Sequence, residues 1–176
     1  MNIRLLLNSG LFIIILLAAS SCLKVDDPKT STRTEAEEQE LLDAYLNSLE
    51  TMGHAVYNTE LGVYYITIEE GEGAYPKDGD TLSIGFQGYL IDQALFSSSE
   101  SLDANGNQEL VLGEEVEDKP IIGWEDGLKQ VREGGKIQFI VPSSLAYGSD
   151  GQGKIGPYQT LVFVVKLFDL RQATEQ

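Results

Sequence analysis

The chain offers few side chains for bond-making chemistry, with a single histidine, His54, and a single cysteine, Cys22. A Cys/His metal cluster needs several such ligands, and a Ser-His-Asp triad would have to be built on His54. The glycine-rich stretches at residues 71–73 and 148–156 lack the spacing and the basic residues of a phosphate-binding loop. The sequence therefore predicts no metal and no cofactor. His54, just past a predicted helix, is expected to be solvated or to cap that helix.

Composition limits the class of partner. The 176 residues include 12 Lys and Arg against 28 Asp and Glu, which gives a formal net charge of −16. So acidic a chain is a poor partner for nucleic acids and for anionic membrane surfaces. Hydrophobic residues make up 42% and charged residues 23% of the chain, which is typical of a packed domain. One folded domain is expected.

Residues 1–21 have the pattern of a secretory signal peptide. A basic Arg4 precedes an apolar run that is densest at residues 11–19, and small residues follow. Polar residues at 8–10 interrupt the apolar stretch, which is shorter than the ~20 residues that a membrane-spanning helix needs.

Cys22 follows Ala19-Ser20-Ser21, and this arrangement resembles the lipobox of bacterial lipoproteins. The resemblance implies that Cys22 becomes the acylated first residue, although Ala19 stands where the family usually has Leu. The alternative is an ordinary signal peptide cleaved nearby, which leaves a free thiol. With a lipid anchor, we expect the protein at a membrane of the cell envelope, on the periplasmic or surface side of an outer membrane.

A flexible tether at residues 22–34 and an amphipathic helix at residues 35–53 are predicted next. The tether is polar and lacks apolar periodicity. Thr34 and Glu37 have the spacing of a capping box, and Gly53 can end the helix. Five apolar residues fall on one helical face: Leu41, Leu42, Tyr45, Leu46 and Leu49. We expect this stripe to cover part of the following domain; docking a partner or a second copy is the alternative.

Beyond residue 60 the hydrophobic residues no longer recur at helical spacing and instead recur at every second position. Strand-like runs occur at residues 63–68, 82–87, 110–112, 136–142 and 160–170. Between them, residues 121–131 carry Trp124, Leu128 and Val131 at helical spacing. The pattern predicts an α+β domain in which a twisted antiparallel sheet curls around one short helix, preceded by the amphipathic helix.

Several segments of this half resemble, in order and spacing, the FK506-binding type of peptidyl-prolyl isomerase. The segments are residues 86–90 (FQGYL), 95–99 (LFSSS), 121–128 (IIGWEDGL), 134–136 (GGK), 145–148 (LAYG), 155–157 (IGP) and 161–163 (LVF). The resemblance covers about residues 61–171, and it implies a domain in which an apolar pocket between sheet and helix holds a proline ring.

The resemblance also implies roles for individual residues. Trp124 corresponds to the floor of the pocket, and the Ile121 backbone N–H and the Tyr147 hydroxyl correspond to donors to substrate carbonyls. The walls would be Phe86, Phe96, Ile121, Ile155 and Phe163, with Ser97 at the mouth. Taken alone, Trp124 or Phe163 would be interpreted as core packing, and the joint placement of the aromatic residues favours the pocket. The partners implied are proline-containing polypeptides.

Three positions depart from the family pattern. Ser97 replaces the usual Asp, Phe86 replaces a common Tyr, and Gln108 replaces a common Phe. The first two changes remove a carboxylate and a hydroxyl, so reduced activity is expected.

Two functions follow from these observations. The first is a lipid-anchored prolyl isomerase that assists the folding of extracytoplasmic proteins. The second is a chaperone or binding module that holds proline-containing segments in the same pocket with little catalysis. A glycan-binding surface lipoprotein has only the Tyr and Trp content in its favour.

Overall fold

The computed structural model describes residues 33–99, 107–114 and 120–174. The predicted signal peptide, Cys22 and most of the tether lie outside these residues. Within the described part of the chain, no helix is long and apolar enough to cross a membrane.

Helix α1 spans Glu35–Thr51, and local hydrogen bonds define both of its ends. The Thr34 backbone N–H donates to Glu37 Oε2 at 2.8 Å, and the Glu37 N–H donates to Thr34 Oγ1 at 3.3 Å, which confirms the predicted capping box. At the other end Gly53 has a φ of +90°, and the N–H of His54 donates to the carbonyl of Leu49. A residue without Cβ adopts this left-handed conformation without strain, so the chain leaves the helix here.

The described residues form seven strands: β1 (Tyr57–Asn58), β2 (Tyr64–Glu69), β3 (Thr81–Leu90), β4 (Leu95–Ser98), β5 (Gln108–Val111), β6 (Lys136–Val141) and β7 (Leu161–Arg171). They pair in one antiparallel sheet with the order β1-β2-β6-β7-β3-β4, and β5 also pairs with β3. Helix α2 (Ile122–Leu128) packs on the inner face of this sheet. The predicted α+β class is confirmed.

Helix α2 lies very close to strand β6. A Cβ added to Gly127 would lie 2.6 Å from the ring of Phe139, and one added to Gly123 would collide with Val141. The two glycines therefore allow a close approach of helix and strand. This approach places Trp124 directly on the sheet.

The sheet has an apolar layer on each face. Alternate residues of β7, namely Leu161, Phe163, Val165 and Leu167, join the inner cluster with α2, whereas Val162 joins the outer cluster under α1. Successive side chains of a strand point to opposite faces, so one strand contributes to both clusters. The amphipathic helix thus covers the outer face of the domain, as expected.

One detail of the predicted stripe on α1 is wrong. Leu41 is 41% exposed, whereas the carboxylate residue Glu38 is 6% exposed. The buried face follows Glu38, Leu42, Tyr45 and Leu49, at intervals of four, three and four residues, and leaves Leu41 at its edge. A charged residue therefore occupies a buried position that the apolar pattern did not indicate.

Candidate functional site

Trp124 is the centre of an aromatic cluster between α2 and the sheet. Its ring centroid lies 5.0 Å from that of Phe86 and 4.9 Å from that of Phe163, with the ring planes inclined by 71° and 68°. Such edge-to-face arrangements are favourable because the positive edge of one ring meets the negative face of the next. Trp124 retains 8% exposure.

The cluster continues on both sides of Phe163. The Phe96 ring meets it at 5.6 Å and 83°, and the fully buried Phe139 lies 5.3 Å from it and 5.7 Å from Trp124. Phe139 was missed as a site residue at the sequence level. The sequence predicted only a strand over residues 136–142, and nothing local shows that Phe139 packs against Trp124.

The pairing of β3 with its neighbours determines how the rings meet. Gly88 lies opposite Phe163 of β7 and opposite Ser97 of β4. A Cβ on Gly88 would lie 2.8 Å from Phe96 Cζ and 3.0 Å from Phe163 Cε1. The two rings therefore use the space that a side chain at position 88 would need.

Tyr147 and Ile155 belong to the segment that joins β6 to β7. Tyr147 is half-buried against the inner cluster, and Ile155 is 8% exposed within it. Ile155 is held by a two-way backbone pairing with Gln152, at 2.8 and 2.9 Å. This pairing orders the glycine-rich loop around Ile155.

Burial raises the pKa of the Tyr147 hydroxyl, because desolvation penalises the phenolate. The hydroxyl is therefore protonated at neutral pH and can donate a hydrogen bond. Over residues 33–99, 107–114 and 120–174, the structure gives this hydroxyl no hydrogen-bond partner. It is available to a carbonyl oxygen of a bound peptide.

Ile121 immediately precedes α2, in an extended conformation with φ −60° and ψ 146°. Its carbonyl accepts the Trp124 N–H at 3.0 Å, whereas its own N–H has no backbone partner among the described residues. The first N–H groups of a helix lack partners within the helix, so they are available to a ligand. Ile121 also packs against the aromatic cluster.

Two residues that depart from the family pattern, Ser97 and Gln108, lie on strands that pair with β3. Ser97 is half-buried in β4, next to Phe96, and Gln108 is half-buried in β5 opposite Ile84. Ser99 Oγ, two residues beyond Ser97, accepts the backbone N–H of Phe86 at 3.0 Å. This contact ties β4 to the strand that carries Phe86.

The structure thus brings the residues predicted for the pocket into one place. Trp124, Ile155 and Phe163 belong to the inner cluster, and Phe86, Phe96, Ile121 and Tyr147 pack against it. An apolar, aromatic surface with two nearby donors suits a small apolar ring flanked by peptide carbonyls. The roles of the individual residues in binding and catalysis stay predictions.

The structure is an α+β domain with an aromatic cluster between its antiparallel sheet and α2. Residues 72–168 match the family model described as FKBP-type peptidyl-prolyl cis-trans isomerase. The chain belongs to this family.

Curated relatives include the FKBP-type peptidyl-prolyl cis-trans isomerase FkpA of Escherichia coli, which is 38% identical over 121 residues. That match covers 67% of this chain and 41% of the relative. A probable FKBP-type isomerase of Haemophilus influenzae is 34% identical over 128 residues, covering 70% of this chain and 49% of that protein. The chain therefore spans less than half the length of these curated relatives.

Solved structures agree with the fold. The crystal structure of FkpA from Escherichia coli has a TM-score of 0.62 and 33% identity, covering 80% of this chain and 63% of that one. A peptidyl-prolyl cis-trans isomerase from Pseudomonas syringae pv. tomato has a TM-score of 0.60 and 26% identity, covering 80% of this chain and 100% of that one.

Proposed function

We propose that the protein catalyses the cis–trans isomerisation of Xaa-Pro peptide bonds and assists the folding of extracytoplasmic proteins. The observation that carries the proposal is the Trp124 ring, packed edge-to-face with Phe86 and Phe163, with the half-buried Tyr147 packed against the same cluster. Family membership supports the same activity.

The chemistry suits a site without a nucleophile. Rotation about an Xaa-Pro bond breaks amide resonance against a barrier of ~18–20 kcal/mol, and no bond is made or cut. The planar amide is more dipolar than the twisted one, so a pocket poor in water favours the twisted form relative to water. In this proposal the proline ring rests on Trp124, and the Tyr147 hydroxyl and the Ile121 N–H hold carbonyl oxygens beside it.

The test is an NMR exchange measurement on a proline-containing peptide, in which the cis/trans exchange rate and the affinity are determined in the same samples. We expect accelerated exchange that saturates with peptide concentration. Binding without acceleration would contradict the isomerase proposal, and the absence of both would contradict any peptide-binding role for the pocket.

A second candidate is a binding module that holds proline-containing segments with little catalysis. It is favoured by Ser97, which supplies a hydroxyl where the family usually has a carboxylate, and by Phe86 and Gln108. Tight binding with weak exchange in the same NMR experiment is its signature.

We also propose that acylation of Cys22 anchors the protein to a membrane of the cell envelope. Support comes from the sequence around Cys22, and several acyl chains together anchor a protein stably. The Cys22→Ala variant should remain uncleaved or leave the membrane fraction after cleavage. A cleaved Cys22→Ala protein that stays with the membrane would contradict the anchor.

A further inference from the structure

Glu38 is a buried carboxylate in the first turns of α1, far in sequence from the residues that it contacts. Its Oε1 accepts the Ser143 backbone N–H at 2.7 Å and the Thr160 hydroxyl at 2.7 Å, and its Oε2 accepts the Ser143 hydroxyl. The three residues are 6%, 4% and 0% exposed. Within the described residues, no Lys or Arg forms an ion pair with Glu38. Three donors therefore satisfy the carboxylate in place of a cation.

These contacts join the two ends of one loop. Ser143 follows β6 and Thr160 precedes β7, and residues 144–159 between them, which we call the pocket loop, carry Tyr147 and Ile155. Just before α1, Arg33 Nη1 donates to Gln159 Oε1 at 2.5 Å, at the same end of the loop as Thr160. Arg33 and Glu38, at the start of α1, therefore hold both ends of the loop that brings Tyr147 and Ile155 to the inner cluster.

Ser143 transmits this restraint to Tyr147 through backbone hydrogen bonds. Its carbonyl accepts the N–H of Ala146 at 2.9 Å and that of Gly148 at 2.8 Å, the two neighbours of Tyr147. The Gly148 carbonyl in turn accepts the Tyr158 N–H at 2.8 Å, which closes the loop on itself. Movement of Ser143 would therefore displace the segment that carries the Tyr147 hydroxyl.

We propose that Glu38 is a positioning residue of the site: its carboxylate fixes both ends of the pocket loop, and thereby the Tyr147 hydroxyl and the Ile155 side chain. The proposal rests on the isomerase function proposed above. It assigns α1 a part in the reaction besides covering the outer face of the sheet. In this proposal the hydrogen bonds that the Glu38 oxygens accept position the loop, and the negative charge of the carboxylate is not required.

Replacing Glu38 by Gln removes the negative charge and keeps a side chain of the same shape, so it tests whether hydrogen bonding or charge matters. In Glu38→Gln the amide oxygen can keep the two bonds made by Oε1, and the amide NH₂ can donate to the Ser143 hydroxyl, which rotates to accept. In Glu38→Ala all three bonds are lost. We therefore expect Glu38→Ala to impair the site and Glu38→Gln to retain it.

The experiment measures two quantities on the purified full-length chain. The first is kcat/KM for a proline-containing peptide by NMR exchange, well below the melting temperature. The second is hydrogen exchange of the Ala146 and Gly148 amides without peptide. Because a displacement of about 1 Å can cost about 100-fold in rate, we expect Glu38→Ala to lose about tenfold in kcat/KM. The two amides should exchange at least about tenfold faster in Glu38→Ala, which corresponds to losing about 1.4 kcal/mol of protection, and Glu38→Gln should restore both quantities.

Two control variants of α1 isolate the effect. Glu40→Ala removes an exposed carboxylate from the same helix, and Leu49→Ala weakens the packing of α1 on the outer face at its far end. Leu49→Ala should lower the melting temperature but leave both quantities unchanged. The proposal is wrong if Glu38→Ala behaves like Glu40→Ala, or if Leu49→Ala reproduces the losses of Glu38→Ala.

If Glu38→Ala does not fold, Thr160→Val and Ser143→Ala test the proposal in its place. Each variant removes one hydroxyl donor to Glu38 and keeps most of the residue's shape. Faster exchange of the Ala146 and Gly148 amides in either variant supports the proposal, and no change in both overturns it. A wild-type protein without isomerase activity would refute the proposed function alone, since the amide exchange still reports whether Glu38 positions the loop.

Discussion

Replacing Tyr147 by Phe removes one hydroxyl from the site and leaves the ring in place. Since the structure gives the hydroxyl no hydrogen-bond partner within the described residues, its removal leaves no buried group unsatisfied there. The aromatic ring still packs on the inner cluster. The free energy of unfolding should therefore change by less than about 0.5 kcal/mol.

The loss in activity follows from one hydrogen bond to a substrate carbonyl. A neutral hydrogen bond contributes about 0.5–1.5 kcal/mol, which corresponds to a decrease of about two- to twelvefold in kcat/KM. If the bond forms only with the twisted amide, kcat falls; if it forms equally with the planar amide, KM rises and kcat is unchanged.

The pH dependence provides a second observable. Because burial raises the pKa of Tyr147 above its ordinary value, the neutral donor is the form that folding favours. Its contributions to stability and binding are fully present below about pH 10 and are lost as pH rises through the raised pKa. The advantage of the wild type over Tyr147→Phe should therefore be constant from about pH 6 to about pH 9.

NMR exchange gives kcat and KM for both proteins, and thermal unfolding gives their melting temperatures. An unchanged kcat/KM in Tyr147→Phe would refute the role of the hydroxyl as a donor to substrate. Equal losses of activity and stability would show that the hydroxyl has a structural role.

Three other substitutions test the aromatic cluster. Trp124→Ala should abolish peptide binding and cost about 3–5 kcal/mol in chemical denaturation, and retained binding would contradict its place as the pocket floor. Gly88→Ala should displace the rings of Phe96 and Phe163, cost about 1–3 kcal/mol and weaken peptide affinity, with the exposed Gln87→Ala as its control; unchanged affinity would show that the rings adjust freely. Ser97→Asp should raise the isomerisation rate by adding charge-assisted hydrogen bonding near the rotating amide, with some loss of stability if the carboxylate is unpaired. A folded Ser97→Asp variant with an unchanged or lower rate would favour the binding-module function.

Much of the fold could be predicted because its determinants are local. The capping box joins Thr34 and Glu37, which are three positions apart, and the left-handed Gly53 affects only its own turn. The alternation along residues 160–170 predicts a strand because successive side chains of a strand point to opposite faces. The pocket residues were predicted by another means, since only the resemblance to a known family linked segments as distant as residues 86–90 and 161–163.

Only the tertiary structure determined which distant segments meet, and no periodic pattern in the sequence indicates these contacts. Glu38 matches an acidic residue at the positive end of a helix dipole, yet its carboxylate is buried because donors 105 and 122 residues later surround it. Gly88 and Phe139 likewise gain their importance only from rings that other strands bring against them. The sequence by itself determined α1, α2 and the longer strands, because their signals are local, whereas packing across the sheet determined which residues touch and that Glu38, rather than Leu41, is buried.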